Sequence, residues 1–228
     1  MLEEAKQLCK QLEDHGYAAY LVGGCVRDFL LGLPLKDIDI ATDAHSDDVA
    51  TIFEEYQPNS FARKYGVIEL KKPLKCQITT FRTEGNYLDY RRPSTIQFIR
   101  DVKLDSKRRD FTINALYMDK EGKILDFFDG VKHLDQRKLV CIGDPMIKIK
   151  EDALRILRAI RFAIVYNLTI DPALDTAMLT YRKNLDFLSI EVIAMEVHKL
   201  LKLPLTSDKA HRLMQLSHHY HCEHLYLK

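Results

Sequence analysis

The stretch from Leu21 to Asp39, Leu-Val-Gly-Gly-Cys-Val-Arg-Asp-Phe-Leu-Leu-Gly-Leu-Pro-Leu-Lys-Asp-Ile-Asp, constrains this chain more than any other. Apolar Tyr20, Leu21 and Val22 run into Gly23-Gly24, and Val26, Phe29 and Leu30 then recur at helical spacing, which predicts a strand, a tight turn and a helix. Glycines in such a turn let backbone N–H groups approach an anion, and the following helix N-terminus adds positive potential, so the turn suits phosphate. Arg27, in the first helical turn, supplies a cation for the same ligand.

Asp37-Ile38-Asp39-Ile40 reads as a short strand in which residues i and i+2 share a face, so the two carboxylates converge while Ile38 and Ile40 turn the other way. Their mutual repulsion is relieved by a hard divalent cation, and Mg²⁺ characteristically takes one or two carboxylates together with phosphate oxygens. A pair of solvated aspartates at a strand end is the alternative.

A chain of 228 residues can bury a real core in one or two domains. With 34 Lys and Arg against 33 Asp and Glu, the net charge of +1 gives no sign of a wholesale polyanion binder, so any nucleic-acid site has to be a local basic patch. Cys9, Cys25, Cys76, Cys141 and Cys222 are scattered, odd in number and without a Cys-x-x-Cys pair, which fits free thiols in a reducing cytoplasm. The charged start Met-Leu-Glu-Glu-Ala-Lys-Gln is unlike a signal peptide, and no apolar run nears the roughly 20 residues of a membrane span, so no membrane association is expected.

Gly-Gly-Cys-Val-Arg-Asp followed by Asp-Ile-Asp resembles the first motif of the class II tRNA nucleotidyltransferases (CCA-adding enzymes) and bacterial poly(A) polymerases, of the polymerase-β-like superfamily. Five further stretches carry the same resemblance. Arg108-Arg109-Asp110 with Asn114 is similar to the second motif, Asp129-Gly130-Val131-Lys132-His133-Leu134 to the third, a hinge, with His133 where an acid is usual. Glu151-Asp152-Ala153-Leu154-Arg155 matches the fourth, and Glu191 and Glu196 the fifth, where Val192 replaces an arginine. Arg82 to Pro93, polar and interrupted by Gly85, resembles the family's flexible loop and is expected to be a mobile loop.

The resemblance implies an α+β fold: a polymerase-β-like head with a small mixed sheet and helices over residues 1–140, then an all-helical neck over 141–228. It runs from about residue 17 to about 201, and the body and tail domains that follow in typical relatives are absent from this sequence. It implies template-independent addition of CMP and AMP, from CTP and ATP, to the 3′ end of tRNA. A poly(A) polymerase, an A-adding enzyme or a catalytically silent nucleotide or RNA binder are the alternatives. Asp37 and Asp39 would hold Mg²⁺ and carry catalysis, and Gly24, Arg27 and Arg108, supported by Gly23, would bind the triphosphate. Asp110 would organise the neighbouring arginines and Asn114 would bond near the ribose. Gln77 stands where an acid is expected on the neighbouring strand, and an amide cannot serve as a base.

From Lys148 to Val165 the pattern predicts one long helix, with Ala153, Ile156, Leu157, Ile160, Ala163 and Ile164 on one side and Asp152, Arg155, Arg158 and Arg161 on the other. Asp152 and Arg155 lie three apart, adjacent on a helix surface. Cytosine and adenine share an exocyclic amino donor beside a ring-nitrogen acceptor, so an aspartate and an arginine together accept C and A and reject U and G. The family match makes these two the protein template, with Arg158 and Arg161 facing the triphosphate or the base's other edge.

The remaining pattern predicts helices over 2–14, from Ser46 as N-cap, around Leu174 to Met178, from near Ser189, and over Ala210 to Leu216. Strands are expected at Val67–Leu70, Gln77–Phe81 and Thr95–Ile99, and a hairpin across Lys120 to Lys123. His218, His221 and Cys222 could share a metal by helical spacing, against the simpler expectation of a solvated helix end. Oligomeric state is left open.

Overall fold

Leu8, Cys9 and Leu12 recur at 3-4 spacing, and a helix is the one conformation that puts them on a single face. In the computed structural model, which describes residues 1–59 and 61–226, they are buried on α1 (Leu2–Asp14). The chain then runs through β1 (Ala19–Val22), α2 (Gly24–Leu30), β2 (Ile38–Thr42), α3 (Ser46–Ile52), β3 (Val67–Leu70) and β4 (Cys76–Thr80). Next come β5 (Arg82–Tyr87), β6 (Pro93–Phe98), α4 (Val102–Lys107), β7 (Leu116–Met118), β8 (Ile124–Asp126) and α5 (Gly130–Asp135). β9 (Lys138–Leu139), α6 (Pro145–Glu151), α7 (Leu154–Val165), β10 (Thr169–Ile170), α8 (Pro172–Tyr181), α9 (Ile190–Leu201) and α10 (Ser207–His219) complete it.

The residues sort into two compact units, Met1–Glu84 with Thr95–Val131, and Gly85–Ser94 with Lys132–Lys228. The sequence division at 140 compares with a passage between them at Val131 and Lys132, inside the third motif. There Asp126 fixes the chain by accepting the backbone N–H groups of Phe128, Gly130 and Val131.

The first unit is built on a six-stranded sheet of order β3-β4-β2-β1-β7-β8, in which β2 and β4 run parallel and the other neighbours antiparallel. Alternation along each strand sends Leu21, Ile38, Ile40, Ile68, Leu70, Ile78, Leu116 and Met118 to one face, where they pack with α1, Cys25 and Val26 of α2 and Val49 of α3. Each such side chain contributes about 1.5–3 kcal/mol by leaving water. Val22, Ala41 and Tyr117 take the opposite face with Phe81 and a smaller apolar group including Ile99 and Val102. Asp39, which shares the pleat direction of Ala41, belongs to that second face.

Two local expectations change here. Arg82 to Pro93 is not an irregular loop: β5 and β6 pair as a ribbon of their own. β5 has no apolar alternation to announce it, whereas β6 covers most of the strand expected at Thr95–Ile99. Ser46 is the first residue of α3 rather than its N-cap, which is His45, and its hydroxyl donates to the Arg63 carbonyl at 3.2 Å.

In the second unit α7 supplies the core, with Ile156, Leu157, Ile160, Ala163 and Ile164 all buried. Asp144, Asp171 and Thr206 cap α6, α8 and α10 with their side chains, and proline occupies the first turn of α6 and α8. The predicted helix from Lys148 to Val165 is broken. Asp152 is extended (φ −137°, ψ 96°), and its Oδ1 accepts the Leu154 N–H at 3.1 Å. An aspartate offers the backbone a local alternative to the helical hydrogen bond, and periodicity does not register that competition.

At the C-terminal end α10 stops at His219, and His221 takes a left-handed φ of 53°. His218 pairs with Glu223, while His219 and Tyr220 both bond Asp175. Among the described residues no group of three or more His, Cys, Asp or Glu is arranged to hold a metal, and no helix is long and apolar enough to cross a membrane.

Candidate functional site

The Gly-Gly turn forms as the spacing requires. Gly23 adopts φ 74° and ψ −122°, a backbone conformation open in practice only to glycine, and its N–H is held by the Leu116 carbonyl at 3.0 Å. At Gly24 a Cβ would stand 3.5 Å from the Arg27 guanidinium, an ordinary contact distance, so the turn's conformational demand falls on Gly23. Arg27 is 5 % exposed, bound through Nε and Nη2 to Asp28 and through Nη1 to Asn114 Oδ1. Asn114 Nδ2 in turn donates to Asp110 Oδ1 at 3.0 Å. The first and second sequence motifs are therefore one hydrogen-bonded chain, Asp110 to Asn114 to Arg27. Phe29 and Leu30, the outer apolar positions of α2, stay exposed, and the short helix is anchored by Cys25, Val26 and Arg27.

Asp37 lies just before β2 and is exposed, while Asp39 is partly covered. Among the described residues neither carboxylate accepts a hydrogen bond. Burial pushes the Asp39 carboxyl above the ordinary range; the Arg109 charge opposes this and the Asp37 charge adds to it. Two oxygen donors that lack hydrogen-bond partners and feel each other's charge form a donor set suited to a hard cation. Across the sheet Asp39 is in register with Gln77 of β4, and Gln77 with Glu69 of β3, so an exposed amide stands between the two acids. Glu69 is engaged at Asn59, whose Nδ2 donates to it at 3.2 Å.

The carboxylate shared by Arg108 and Arg109 is Asp105, which the sequence motif did not mark. It is fully buried and accepts from Arg108 Nε at 2.9 Å, Arg109 Nη2 at 3.3 Å, the Tyr117 hydroxyl at 2.6 Å and the Arg82 backbone N–H at 3.0 Å. Burial alone would raise the Asp105 carboxyl, but the two guanidiniums and the hydroxyl hold it below the ordinary range. Arg109 Nε also donates to Tyr117 at 2.8 Å. Arg82, beside them, is clasped by Glu84 through Nε and Nη2 and donates to the Tyr65 carbonyl. The signal was legible: Asp105 lies three and four residues before the arginines, the spacing of ion pairs on a helix.

In the second unit the acid–arginine couple is held by the helix break. Arg155 is 4 % exposed, with Nη1 on the Lys148 carbonyl at 2.8 Å, and its Nε stands 3.9 Å from Asp152. Arg91, from the tip between β5 and β6, approaches Asp152 at 3.4 Å, and Ala153 N–H donates to the Tyr90 carbonyl at 2.9 Å. Tyr90 stacks on Phe187 with ring centroids 5.0 Å apart. Burial raises the Asp152 carboxyl against the pull of Arg91, Arg155 and Arg158. Arg161 turns elsewhere: its Nε meets Glu196 at 2.6 Å and its guanidinium lies over the Phe162 ring. Arg158 stands between, near enough to act electrostatically on both Asp152 and Glu196.

A sequence profile of the poly A polymerase head domain matches residues 19–140. The CCA-adding enzyme of Staphylococcus haemolyticus is 43 % identical over 203 residues, 89 % of this chain and 50 % of that protein. That of Bacillus cytotoxicus is 38 % identical over 224 residues, 98 % of this chain and 56 % of its own length. The crystal structure of the Bacillus stearothermophilus CCA-adding enzyme in complex with CTP superposes with a TM-score of 0.84 at 37 % identity, covering 94 % of this chain and 51 % of that one. The chain thus spans about half the length of the relatives it matches. Its sheet unit is a polymerase-β-like head, the head profile covers more than half of its residues, and the chain belongs to the family of CCA-adding tRNA nucleotidyltransferases and bacterial poly(A) polymerases.

Proposed function

We propose that this chain performs template-independent nucleotidyl transfer, adding CMP and AMP from CTP and ATP to the 3′ end of tRNA and releasing pyrophosphate. The observation that carries the reading is the pair Asp37 and Asp39, whose carboxylates accept no hydrogen bond among the described residues, while Arg109, the cation whose charge acts on Asp39, is itself bound to Asp105. The similarity to CCA-adding enzymes, one of them in complex with CTP, supports the choice of substrates.

The family depends on divalent metal, and the all-oxygen donor pair favours Mg²⁺ held by Asp37 and Asp39. When bound, such a cation lowers the barrier to attack by the RNA 3′-hydroxyl on the α-phosphorus and stabilises the leaving pyrophosphate. Gly24 with its backbone N–H, Arg27 and Arg108 grip the triphosphate, while the Asp110 to Asn114 chain holds Arg27 in one rotamer and brings Asn114 toward the ribose. Asp152 accepts from the amino group of cytosine or adenine, and Arg155 donates to the adjacent ring nitrogen. A wrong base leaves one of these buried charges unmatched, on the order of 1–3 kcal/mol per group. Arg158 and Arg161 complete the cationic side of that helix, Arg161 being already committed to Glu196. That all five cysteines are buried as thiols rather than disulfides supports a cytoplasmic setting.

Incubating the chain with Mg²⁺, each nucleoside triphosphate in turn and a tRNA ending before CCA tests the reading. Incorporation from CTP and then ATP is expected. Strong use of UTP or GTP contradicts the assignment of Asp152 and Arg155, and ATP use without CTP use replaces CCA addition by A addition.

A further inference from the structure

Resting on that reading of Arg108, we propose that Asp105 is a positioning residue that sets Arg108 in advance for the nucleotide's triphosphate. Three guanidinium groups, Arg82, Arg108 and Arg109, crowd one corner of the head unit, and burial first, then the Arg108 charge, depress the Arg82 pKa. Such a cluster would splay apart if unopposed. Two carboxylates hold it: Glu84 takes Arg82 and stands 3.5 Å from Arg108, and Asp105 takes Arg108, Arg109, Tyr117 and the backbone of Arg82.

The assignments within the cluster differ. Arg82 spends Nε, Nη1 and Nη2 on Glu84 and the Tyr65 carbonyl, so its role is to brace. Arg108 is anchored to Asp105 through Nε, the base of the fork, at 2.9 Å, with Nη1 3.5 Å from Glu84, so the buried carboxylate fixes the direction in which the guanidinium plane lies. A guanidinium fixed before the ligand arrives loses little freedom on binding and needs no reorganisation as charge develops on phosphate oxygens. Asp105 does this from full burial, touching no ligand, and Tyr117 fixes Asp105 from the core side.

The test uses the full chain with Asp105→Asn, Asp105→Glu and Tyr117→Phe, and reads the KM for CTP, kcat, inhibition by inorganic triphosphate and inhibition by cytidine. For Asp105→Asn the KM for CTP and the Ki of inorganic triphosphate are expected to rise together about tenfold, with cytidine inhibition and the KM for tRNA unchanged. Asp105→Glu recovers part of this loss, and Tyr117→Phe shows the same pattern at about threefold. A fall in thermal midpoint with KM and Ki unchanged overturns the proposal. Should Asp105→Asn fail to fold, Tyr117→Phe decides by the same two constants. Calorimetric binding of inorganic triphosphate to wild type and variants reads the proposal without turnover, so a wild-type chain that binds triphosphate but transfers no nucleotide refutes the proposed function and leaves Asp105 to be judged on binding.

Discussion

Asp39 in the sheet unit and Glu196 in the helical unit are both largely withdrawn from water, yet their surroundings push them in opposite directions. Glu196, 2 % exposed, receives Arg161 at 2.6 Å and Lys199 at 3.1 Å and is held below the ordinary carboxylate range despite its burial. Asp39 receives no donor and is pushed above it. Asp105 and Asp152 repeat the contrast, Asp105 saturated and lowered, Asp152 raised with its charged partners standing off at 3.4 and 3.9 Å. A carboxylate that the fold satisfies holds the structure together. One that the fold leaves short of donors costs stability in the free protein and keeps its oxygens available for a ligand.

The sharpest way to break this contrast is Asp39→Asn. Incorporation is expected to fall by roughly three orders of magnitude, the scale of losing a principal electrostatic contribution. Because burial raises the Asp39 carboxyl in the folded chain, its ionisation at neutral pH opposes folding, and that cost vanishes as the carboxyl takes up its proton on acidification. In EDTA at pH 7 the variant should therefore unfold at a higher temperature than wild type, with the difference gone below about pH 4. A variant that is less stable at pH 7 would place Asp39 among the satisfied carboxylates.

Glu196→Gln is the mirror experiment. Removing one partner of a buried pair leaves Arg161 uncompensated and is expected to cost about 3 kcal/mol in urea unfolding at pH 7. The lowered folded-state pKa means that this stabilisation is complete above about pH 4.3, the unfolded value, and is lost as pH falls through the folded one. A cost that persists unchanged at pH 3 would show that packing, not charge, is what Glu196 supplies.

Asp152→Asn should act on selectivity before rate. An amide both donates and accepts, so discrimination of CTP against UTP is expected to fall about tenfold in competition assays, with the unfolding midpoint little changed. The smallest effect is expected at Gln77, in register beside Asp39. Gln77→Glu restores the acid that the family resemblance anticipates, and turnover at saturating Mg²⁺ should rise by about threefold in return for a further increase in the Asp39 pKa. No gain would mean that the adjacent pair suffices.

Much of this was readable before any coordinates. The Gly-Gly turn, the alternation that turns Asp39 away from Ile38 and Ile40, and the apolar faces of α1 and α7 all follow from near-neighbour geometry, which sequence spacing records directly. The break at Asp152 and the strand β5 were not readable, because each depends on hydrogen bonds that compete with, or substitute for, a pattern of buried side chains.

Which residues carry charge and which faces are apolar is written in the chain, and with them the strand, the turn and the pair of acids. Which of those charges are satisfied emerges only on folding. Asp105 gains Tyr117 from a strand and Glu196 gains Arg161 from a helix 35 residues away, while Asp39 gains nothing, and all three look alike as letters. The energy of a buried carboxylate depends on donors a few ångströms away in space, and their proximity is set by how sheet and helices close around it.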